Sequence, residues 1–592
     1  MLQTISKIPK EGENFMKKQK LWLSMLLAAI SFGLTAAPAT EEEMFQQFEK
    51  TKTKKMILMQ VWMDRTPDVI LKNMNVIKQA YDGVFLELYG YGHKDPKGAT
   101  ASSRRIMQKD FEFKYEWFKN EVPKMQKIAA NGLKHSFIGT CVRYGDLDWF
   151  NDEHWRIACA NYGLMARLAR EGGLAGIEFD AEMYADKIFN YQPYCGKSRH
   201  QIWMKARERG KQWITEIQKN YPGITIFCIF LHSLNYETLG TAYNNAYSQG
   251  NLFVPFLNGI LDGLDPKTKL IEGNEFYTYK ASSKRHFNFA RAQERMLFNS
   301  QILPENRAKA RAQIEYAPAI YMDAYFFSQK NSNAYHKEVY DVMSPGLEWN
   351  DPARMKAVYK NFAEAVNRSD EYVWVYQERP RYWSPEKKYH DGQLLQNVFP
   401  NLLPFIKAVK SPATLEQYWL DRVKKENIPN LVKGGSFEDD IYKKWHFWQR
   451  AKNNHRDSGF FLVPQEGVNK SRAMVAKNLG KHGGSFFTKG IKVKPDTQYL
   501  LVGKIKRTQA GYGALQIMFQ KNYGTWDYNT LTPLVKIAPR TMKAGEYETV
   551  AGVFTTPEYI NMLGVSLGVA EQRNRHDFVY FDEIGLYELP TK

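Results

Sequence analysis

Between residues 54 and 385 the chain repeats one pattern, a short apolar run rich in β-branched and aromatic residues followed by an amphipathic stretch of helical period. The apolar runs lie at residues 56–63, 83–92, 133–142, 175–184, 224–233, 269–279, 318–327 and 372–378. Helical stretches between them include residues 67–81, 154–173 and 352–368. This alternation predicts an α/β fold, a (β/α)8 TIM-like barrel whose parallel sheet is buried on both faces.

An open, doubly wound parallel sheet is the alternative fold for such an alternation. It would normally bring a glycine-rich phosphate turn after its first strand, and the sequence there, MQVWMDRTPD, contains no glycine. We therefore assign residues 40–425 to the barrel, with residues 386 onward as connecting helices.

From residue 430 the pattern changes to short alternating strands separated by turn residues. The strand-like segments are FFTKGIKVK, YLLVGKIKR, ALQIMFQ, YETVAGVF, LGVSLGV and FVYFDEIGLYEL. Helical patterns are scarce here, so residues 426–592 are predicted to form an all-β sandwich.

The opening NLVKGGSFED, the central GGSFFTKGIKVKPDTQYLLVGKIK and the closing FVYFDEIGLYEL of this region resemble the carbohydrate-binding jelly-roll modules of bacterial polysaccharide-degrading enzymes. The resemblance implies a glycan-binding role. It also implies that Glu438 and Asp582 hold a structural calcium, for which oxygen ligands are suitable. The alternative is that both residues only cap turns. No cofactor is expected for catalysis.

The first 39 residues have the features of an export signal. From Met16 the chain runs MKKQK, then LWLSMLLAAISFGL, then TAAPA, which are a charged start, a short apolar stretch and small residues suited to cleavage after Ala39. We therefore expect translation to start at Met16 and the protein to be secreted or periplasmic, with no stable membrane span after cleavage. A short N-terminal anchor is the alternative.

Composition limits the partners. The chain has 592 residues and a net charge of +19, but its basic residues are interleaved with acidic and aromatic ones, whereas nucleic-acid binding favours a dense basic stripe. A carbohydrate is the expected partner, with an anionic polysaccharide as one candidate and a merely basic, solvated surface as the other explanation of the charge. The four cysteines show no C-x-x-C spacing, so metal and thiol-redox chemistry lack support.

The stretch GLAGIEFDAEMY, residues 173–184, aligns Glu178, Asp180 and Glu182 on one side of the fourth predicted strand. In a barrel the carboxyl ends of the strands form the active-site mouth, so Asp180 and Glu182 are expected there. Glu178 lies deeper and needs a lysine or arginine partner, or must stay protonated. Repulsion among close carboxylates raises one pKa, which suits an acid working beside a charged neighbour.

Residues 175–182, AGIEFDAE, also resemble the strand-four signature D-G-x-D-x-D-x-E of chitinase-type glycosidases. The resemblance implies that Glu182 protonates the leaving oxygen and that Asp180 assists. Ala175 and Glu178 depart from the signature where it has Asp, so the match leaves the substrate open.

Other predicted strand ends carry polar and aromatic residues that could complete a sugar site. A two-carboxylate mechanism needs a second acid, for which Glu378 is the first choice and Glu275 the second. Arg379 could keep Glu378 ionised. The expected substrate contacts are Glu87, Tyr89, Trp62, His232, Tyr321, Asp323, Trp374 and Arg379, with Trp526 as a sugar platform in the β-region. Each could instead be a scaffold residue.

The sequence lacks H-E-x-x-H, a P-loop, a G-x-S-x-G elbow and C-x-P-x-R. The prediction is therefore an exported glycoside hydrolase. One alternative is a non-catalytic glycan-binding surface protein. The other is a polysaccharide lyase acting on uronates, with Tyr321, Tyr376, His232 and Arg379 as the available groups.

Overall fold

The structure is a computed structural model that describes residues 53–590. Within that range it leaves out residues 62, 144–146, 183–187, 191–195, 234–250, 327–342, 388, 440, 442–443, 450–457, 481–482, 509–511, 524, 528–535, 542, 571 and 573–575, and the side chains of residues 276 and 449. The predicted export signal therefore lies outside the described residues.

The residues that the structure describes up to residue 377 form eleven strands. They are β1 (Lys55–Gln60), β2 (Gly83–Leu86), β3 (Tyr89–Lys94), β4 (Thr100–Ser102), β5 (Phe137–Cys141), β6 (Gly176–Asp180), β7 (Thr225–Cys228), β8 (Lys269–Glu272), β9 (Ile314–Tyr316), β10 (Ala319–Tyr321) and β11 (Tyr372–Gln377). β3 and β4 form a separate antiparallel hairpin. The other nine form one parallel sheet in the order β10-β11-β1-β2-β5-β6-β7-β8-β9.

This parallel sheet is curled. Its two end strands, β9 and β10, are separated in the chain only by Ala317 and Pro318. The ring of Trp374 on β11 lies 6.2 Å from Phe85 on β2 and 6.3 Å from Phe227 on β7, although β11 neighbours neither strand. Aromatic side chains from separate strands thus fill one interior core.

Helices alternate with the strands of the sheet along the chain, as the repeating pattern predicts. They are Pro67–Lys72, Met74–Ile77, Val122–Ile128, Asp152–Glu171, Arg199–Asn220, Phe253–Gly263, Glu275–Thr278, Lys284–Gln301, Pro304–Gln313, Asp323–Phe326, Met355–Arg368, Leu395–Val398, Leu402–Ala408 and Pro412–Lys425. Local signals set their ends: the Asn151 side chain caps Asp152–Glu171, and Ser198 with Gln201 forms a capping box on Arg199–Asn220. The predicted helices at 67–81, 154–173 and 352–368 are confirmed, with the first divided at Asn73.

The region after residue 440 is antiparallel β-structure, as predicted. Its strands are β12 (Trp445–Gln449), β13 (Gly459–Val463), β14 (Ala473–Lys477), β15 (Gly484–Thr488), β16 (Ile491–Lys492), β17 (Gln498–Arg507), β18 (Gly513–Asn522), β19 (Thr525–Trp526), β20 (Lys536–Ile537), β21 (Glu548–Thr555), β22 (Met562–Val569) and β23 (Val579–Glu588). One sheet has the order β12-β15-β22-β18-β19, with β16 and β20 attached, and the other β13-β14-β23-β17-β21. Both contribute side chains to one buried cluster.

The two regions are packed together within one compact unit that begins at Lys54. Leu500, Ala551 and Leu589 of the antiparallel region belong to the apolar core of the helical region. A Lys360–Asp496 ion pair and an Arg540–Glu416 ion pair of 2.5 Å also join them.

Two further expectations can be compared with the described residues. Cys141, Cys159 and Cys228 are buried free thiols, whereas Cys195 lies outside the described part of the chain. None of the helices that the structure describes is long and apolar enough to cross a membrane.

Candidate active site

Carboxylates follow the carboxyl ends of five strands in the parallel sheet. Glu87 follows β2, Asp180 ends β6 with Glu182 two residues later, Glu275 follows β8, Asp323 follows β10 and Glu378 follows β11. Because all nine strands run in the same direction, these ends lie at one edge of the sheet. The predicted strand at 175–184 ends at Asp180, so Glu182 lies in the loop beyond it, with its backbone N–H donating to Asp180 Oδ1 at 3.0 Å.

Arg104 connects the carboxylates at this edge. Its guanidinium donates to Glu178 Oε1 at 3.0 Å and to Asp180 Oδ2 at 2.9 Å, and its Nε lies 3.8 Å from Glu87 Oε1. Arg104 comes from a short 3-10 turn, Ser103–Arg105, directly after the β3–β4 hairpin. The expectation that Glu178 needs a lysine or arginine partner is therefore met by Arg104.

Glu178 is fully buried and faces the strand β5. A side chain at Gly139, its neighbour on β5, would place a Cβ 2.7 Å from Glu178 Oε2, so the absence of a side chain there makes room for the carboxyl group. Burial raises the pKa of Glu178 to about 7, and the charge of Asp180 adds to the rise while Arg104 opposes it. Glu178 is a support for Asp180 rather than a group open to a substrate.

The charges of three other carboxylates at the edge act on Glu275. It is half-buried at the start of the Glu275–Thr278 helix. Burial and then the negative charges of Glu182, Asp180 and Glu378 raise the pKa of Glu275 well above its usual value, and the neighbouring Tyr279 hydroxyl acts in the opposite direction. Three of the predicted catalytic carboxylates thus act on the fourth, and their charges favour the protonated form of Glu275.

Asp323 holds the chain that follows β11. Its fully buried carboxyl group accepts the backbone N–H of Glu378 at 2.8 Å and that of Arg379 at 3.1 Å. Burial, followed by the charge of Glu378, raises the pKa of Asp323 to about 8 although these N–H groups lower it. Asp323 therefore positions Glu378 at the edge of the sheet.

The raised pKa of Asp323 predicts a pH-dependent stability. An unfolded aspartate has a pKa of about 3.9, so the folded state binds the proton more tightly, and this stabilisation is fully present below about pH 4 and lost as the pH rises through about 8. Asp323→Asn keeps a carbonyl acceptor but cannot ionise. We expect the thermal midpoint of the variant to fall less steeply than that of the wild type between about pH 5 and pH 9. If the thermal midpoints of both proteins fell equally with pH, the raised pKa of Asp323 would be contradicted.

Three tyrosines form a wall beside the carboxylates. The Tyr279 ring stacks on Tyr321 with centroids 4.6 Å apart and on Tyr376 at 5.4 Å. The Tyr376 hydroxyl donates to Glu378 Oε1 at 3.1 Å. An aromatic face can pack against the apolar C–H face of a sugar ring, and carboxylates can bind the hydroxyl groups at its rim.

Glu87 lies beside Arg104, and Tyr89 lies beside Glu87. Arg65 pairs with Glu87 Oε1, and the Tyr89 hydroxyl donates to Glu87 Oε2 at 2.7 Å. Burial raises the pKa of Glu87, but Arg65 and Arg104 outweigh it and lower the value overall. Glu87 is therefore a charged link between the hairpin and Arg104.

Two predicted sugar contacts are packed inside the protein. Trp374 is fully buried, with its indole N–H donating to the Gly273 carbonyl at 2.9 Å. His232 is also fully buried, 3.3 Å from Glu272 and 3.2 Å from Glu294. Burial disfavours its charged form, yet Glu272 and Glu294 raise the pKa of His232 overall. In this structure both residues support the scaffold below the edge.

The remaining predicted contacts are dispersed. Arg379 donates to the Tyr389 hydroxyl at 2.7 Å and lies over its ring. Trp62 lies outside the described residues. Trp526 is in the antiparallel region, half-buried, with its ring 5.6 Å from Phe487.

The predicted calcium ligands hold a loop in place. Glu438 accepts the Arg472 backbone N–H at 2.7 Å, and Asp582 Oδ2 accepts the Val468 N–H and the Ser471 hydroxyl, each at 2.8 Å. The Arg472 guanidinium lies 3.6 Å from Glu438. A calcium ion would have to displace these donors, so the arrangement does not favour the predicted calcium site, which stays a prediction for a calcium titration.

Three residues of this site were missed by the sequence analysis: Arg65, Arg104 and Tyr279. Arg104 and Glu178 are separated by 74 positions in the chain, and no local pattern links them. Tyr279 ends a predicted strand that is in fact a strand followed by a short helix. Only the requirement of a cation for Glu178 pointed toward the arginine.

Comparisons with known proteins give only weak likenesses. No protein-family model matches the chain, and no curated protein matches it. A proposed alpha-L-fucosidase from Bacteroides thetaiotaomicron covers 91% of this chain and 96% of its own, with a TM-score of 0.33 and 10% identity. A family 16 carbohydrate-binding module covers 27% of this chain and 100% of its own, with a TM-score of 0.20 and 19% identity.

A third solved structure, the CBM22-2 xylan-binding domain from Paenibacillus barcinonensis, covers 27% of this chain and 99% of its own, with a TM-score of 0.20 and 11% identity. At these TM-scores the likenesses say nothing about activity. The geometry of the site therefore has to carry any functional proposal.

Proposed function

We propose that this protein is an exported glycoside hydrolase that cleaves glycosidic bonds by two-carboxylate acid–base catalysis. Its parallel sheet is proposed to be a closed (β/α)8 barrel in which β9 and β10 are two halves of one strand, interrupted at Pro318. We further propose residues 40–425 as the catalytic region and residues 426–592 as a carbohydrate-binding jelly roll.

The observation that carries the proposal is that Asp180, Glu182, Glu275 and Glu378 end or follow strands at one edge of the parallel sheet. These carboxylates follow three different strands, and the charges of the other three raise the pKa of Glu275. A proton donor beside charged carboxylates is the arrangement that glycoside hydrolysis needs. Barrels host many reactions, so the proposal depends on this site and not on the fold.

The charge distribution changes the assignment of roles within the site. Sequence comparison gave the acid role to Glu182, whereas burial and neighbouring charge favour Glu275 as the group that holds the proton. Glu275 would donate its proton to the leaving glycosidic oxygen as the bond to the anomeric carbon breaks. Glu378 would act as nucleophile, or as the base that takes a proton from the attacking water, while Asp180 and Glu182 stabilise the positive charge developing on the sugar.

The alternatives have less support from this geometry. A lyase needs a cation to neutralise a uronate, and Arg379 was the predicted one, but Arg379 donates to the Tyr389 hydroxyl and lies over its ring. Arg65 and Arg104 are paired with carboxylates, and His232 is buried between two glutamates. A non-catalytic binding protein would have no use for a glutamate whose pKa is raised by three neighbouring carboxylates.

The test is reducing-sugar release from neutral, amino, uronic and sulfated polysaccharides by the wild-type protein and by Glu182→Gln. We expect hydrolysis of one substrate class by the wild type and a strong loss in the variant. Products that absorb in the ultraviolet would instead indicate a lyase. Equal activity of the two proteins would contradict the proposed site.

A further inference from the structure

The β3–β4 hairpin is a rigid projection at the carboxyl edge of the sheet. Asp95, which is 6% exposed, fixes its turn: one carboxylate oxygen accepts the backbone N–H groups of Lys97 and Ala99, and the other accepts Arg105 and Gln108. Such a network holds the turn in one conformation.

Packing on the underside of the hairpin adds to this rigidity. The His93 ring stacks on Trp117 with centroids 4.5 Å apart and planes at 11°. A Cβ at Gly90 would lie 3.1 Å from the Ala101 side chain and 3.3 Å from Phe118, so the backbone is closely packed there. The hairpin is therefore preorganised rather than free to fold back.

This rigid hairpin exposes an aromatic ring to solvent. Tyr91 is 68% exposed, and its ring stacks on Tyr89 with centroids 5.7 Å apart and planes at 24°. Tyr89 in turn bonds Glu87, which lies 3.8 Å from Arg104, the residue that holds Asp180. A continuous series of contacts thus joins the exposed ring to the candidate catalytic edge.

We propose that Tyr91, supported by Tyr89, is an outer subsite that stacks on a sugar ring of a neutral oligosaccharide or polysaccharide. This inference rests on the proposed function and extends it. The protein would bind a chain of several sugars. The catalytic carboxylates would cleave one glycosidic bond, while Tyr91 would hold a sugar ring farther along the same chain. Exposed aromatic faces on rigid elements are suited to such contacts.

The charges around Tyr91 support a neutral rather than an anionic sugar. Asp68 and Glu121 share one cation, Lys124, at 2.6 and 3.0 Å. Besides partial burial, the charges of Asp64, Glu121 and Asp68 raise the pKa of Tyr91, although Lys124 opposes them. A uronate or sulfate group would meet this negative field.

The experiment compares steady-state kinetics of the wild type, Tyr91→Ala and Tyr91→Phe. The probes are hexasaccharides and disaccharides of glucose, xylose and mannose, with a galacturonate hexasaccharide as the anionic probe. For Tyr91→Ala we expect KM to rise about tenfold on the hexasaccharide that the wild type hydrolyses, with KM for its disaccharide unchanged. Tyr91→Phe keeps the stacking face and should behave as the wild type. Met296→Ala removes a large apolar side chain that is 41% exposed on the helix Lys284–Gln301 and serves as the control.

Each result separates the subsite from the catalytic proposal. An unchanged hexasaccharide KM in Tyr91→Ala, in a protein that Glu275→Gln still inactivates, would overturn the subsite alone. An equal rise for both lengths of sugar would indicate a general disturbance and would also overturn it. Preference of the wild type for the galacturonate probe would overturn the neutral-sugar assignment. Failure of the wild type to hydrolyse any probe or polysaccharide would overturn the proposed function and the subsite with it.

Discussion

Glu275→Gln is expected to lower kcat/KM by about a hundredfold to ten-thousandfold, the range for loss of a general acid. Glutamine keeps the size of the side chain but cannot donate a carboxylic proton. The measurement is the initial rate of reducing-end release on the substrate identified by the polysaccharide panel.

The matched control for that variant is Glu371→Gln. Glu371 is also half-buried on this sheet, but it precedes β11 at the opposite edge and pairs with Lys269 at 3.0 Å. We expect the control to retain nearly full activity. A Glu275→Gln protein as active as the control would exclude Glu275 from the chemistry.

Arg104→Met is expected to destabilise the fold by about 3 kcal/mol and to reduce activity, because it leaves buried carboxylates without their cation. Glu178 is fully buried and Asp180 is 2% exposed, so water cannot replace the guanidinium at either. The loss should be measured as a lower thermal midpoint. It should be smaller at low pH, where protonation of the carboxylates removes their need for a cation.

Two variants separate this effect from a general loss of an arginine. Arg104→Lys should recover only part of the stability, since an ammonium group cannot donate to both carboxylates in the fork geometry of arginine. Arg156→Met removes an exposed arginine that pairs with Glu112 and Glu153, and should change stability by less than about 1 kcal/mol. Similar losses in Arg104→Met and Arg156→Met would show that the buried network contributes little.

The strand pattern was predictable because a buried parallel strand needs a continuous apolar run. Runs such as MILMQVWM and YVWVYQE correspond to β1 and β11, although the strands are shorter than predicted. β9 was missed because Ile314–Tyr316 continues a polar helix and is separated from β10 by Pro318. Because proline has no N–H to donate to a neighbouring strand, the apolar run that marks a strand in the sequence begins only at Pro318.

In the antiparallel region the central strands were easier to predict than the edges. β17, β18 and β22 are long strands with many buried residues, so each gives a recognisable apolar segment in the sequence. The missed strands are β12, β13, β14, β19 and β20. Of these, β12, β13 and β19 lie at the ends of their sheets, where burial imposes less alternation.

Part of the site could be predicted because the rule of strand ends applies to single residues. Asp180, Glu182, Glu275 and Glu378 were selected on that rule, and in the structure the charges of the other three raise the pKa of Glu275. Depth along a strand could not be predicted: Trp374 and Tyr376 lie on the same face of β11, yet Trp374 is buried and Tyr376 borders the edge. The position of Arg104 beside Glu178 and Asp180 depends on packing between distant parts of the chain, which the local sequence pattern does not show.

The central claim is that Glu182 and Glu275 act in one catalytic site, Glu275 as the general acid and Glu182 as a stabilising charge. The most direct measurement is kcat/KM for Glu182→Gln, Glu275→Gln and the double variant on the same substrate. Groups that act as a unit give strongly non-additive losses, so the double variant should be about as active as the weaker single variant. Single variants that both retain wild-type activity, or losses that simply multiply in the double variant, would contradict the account.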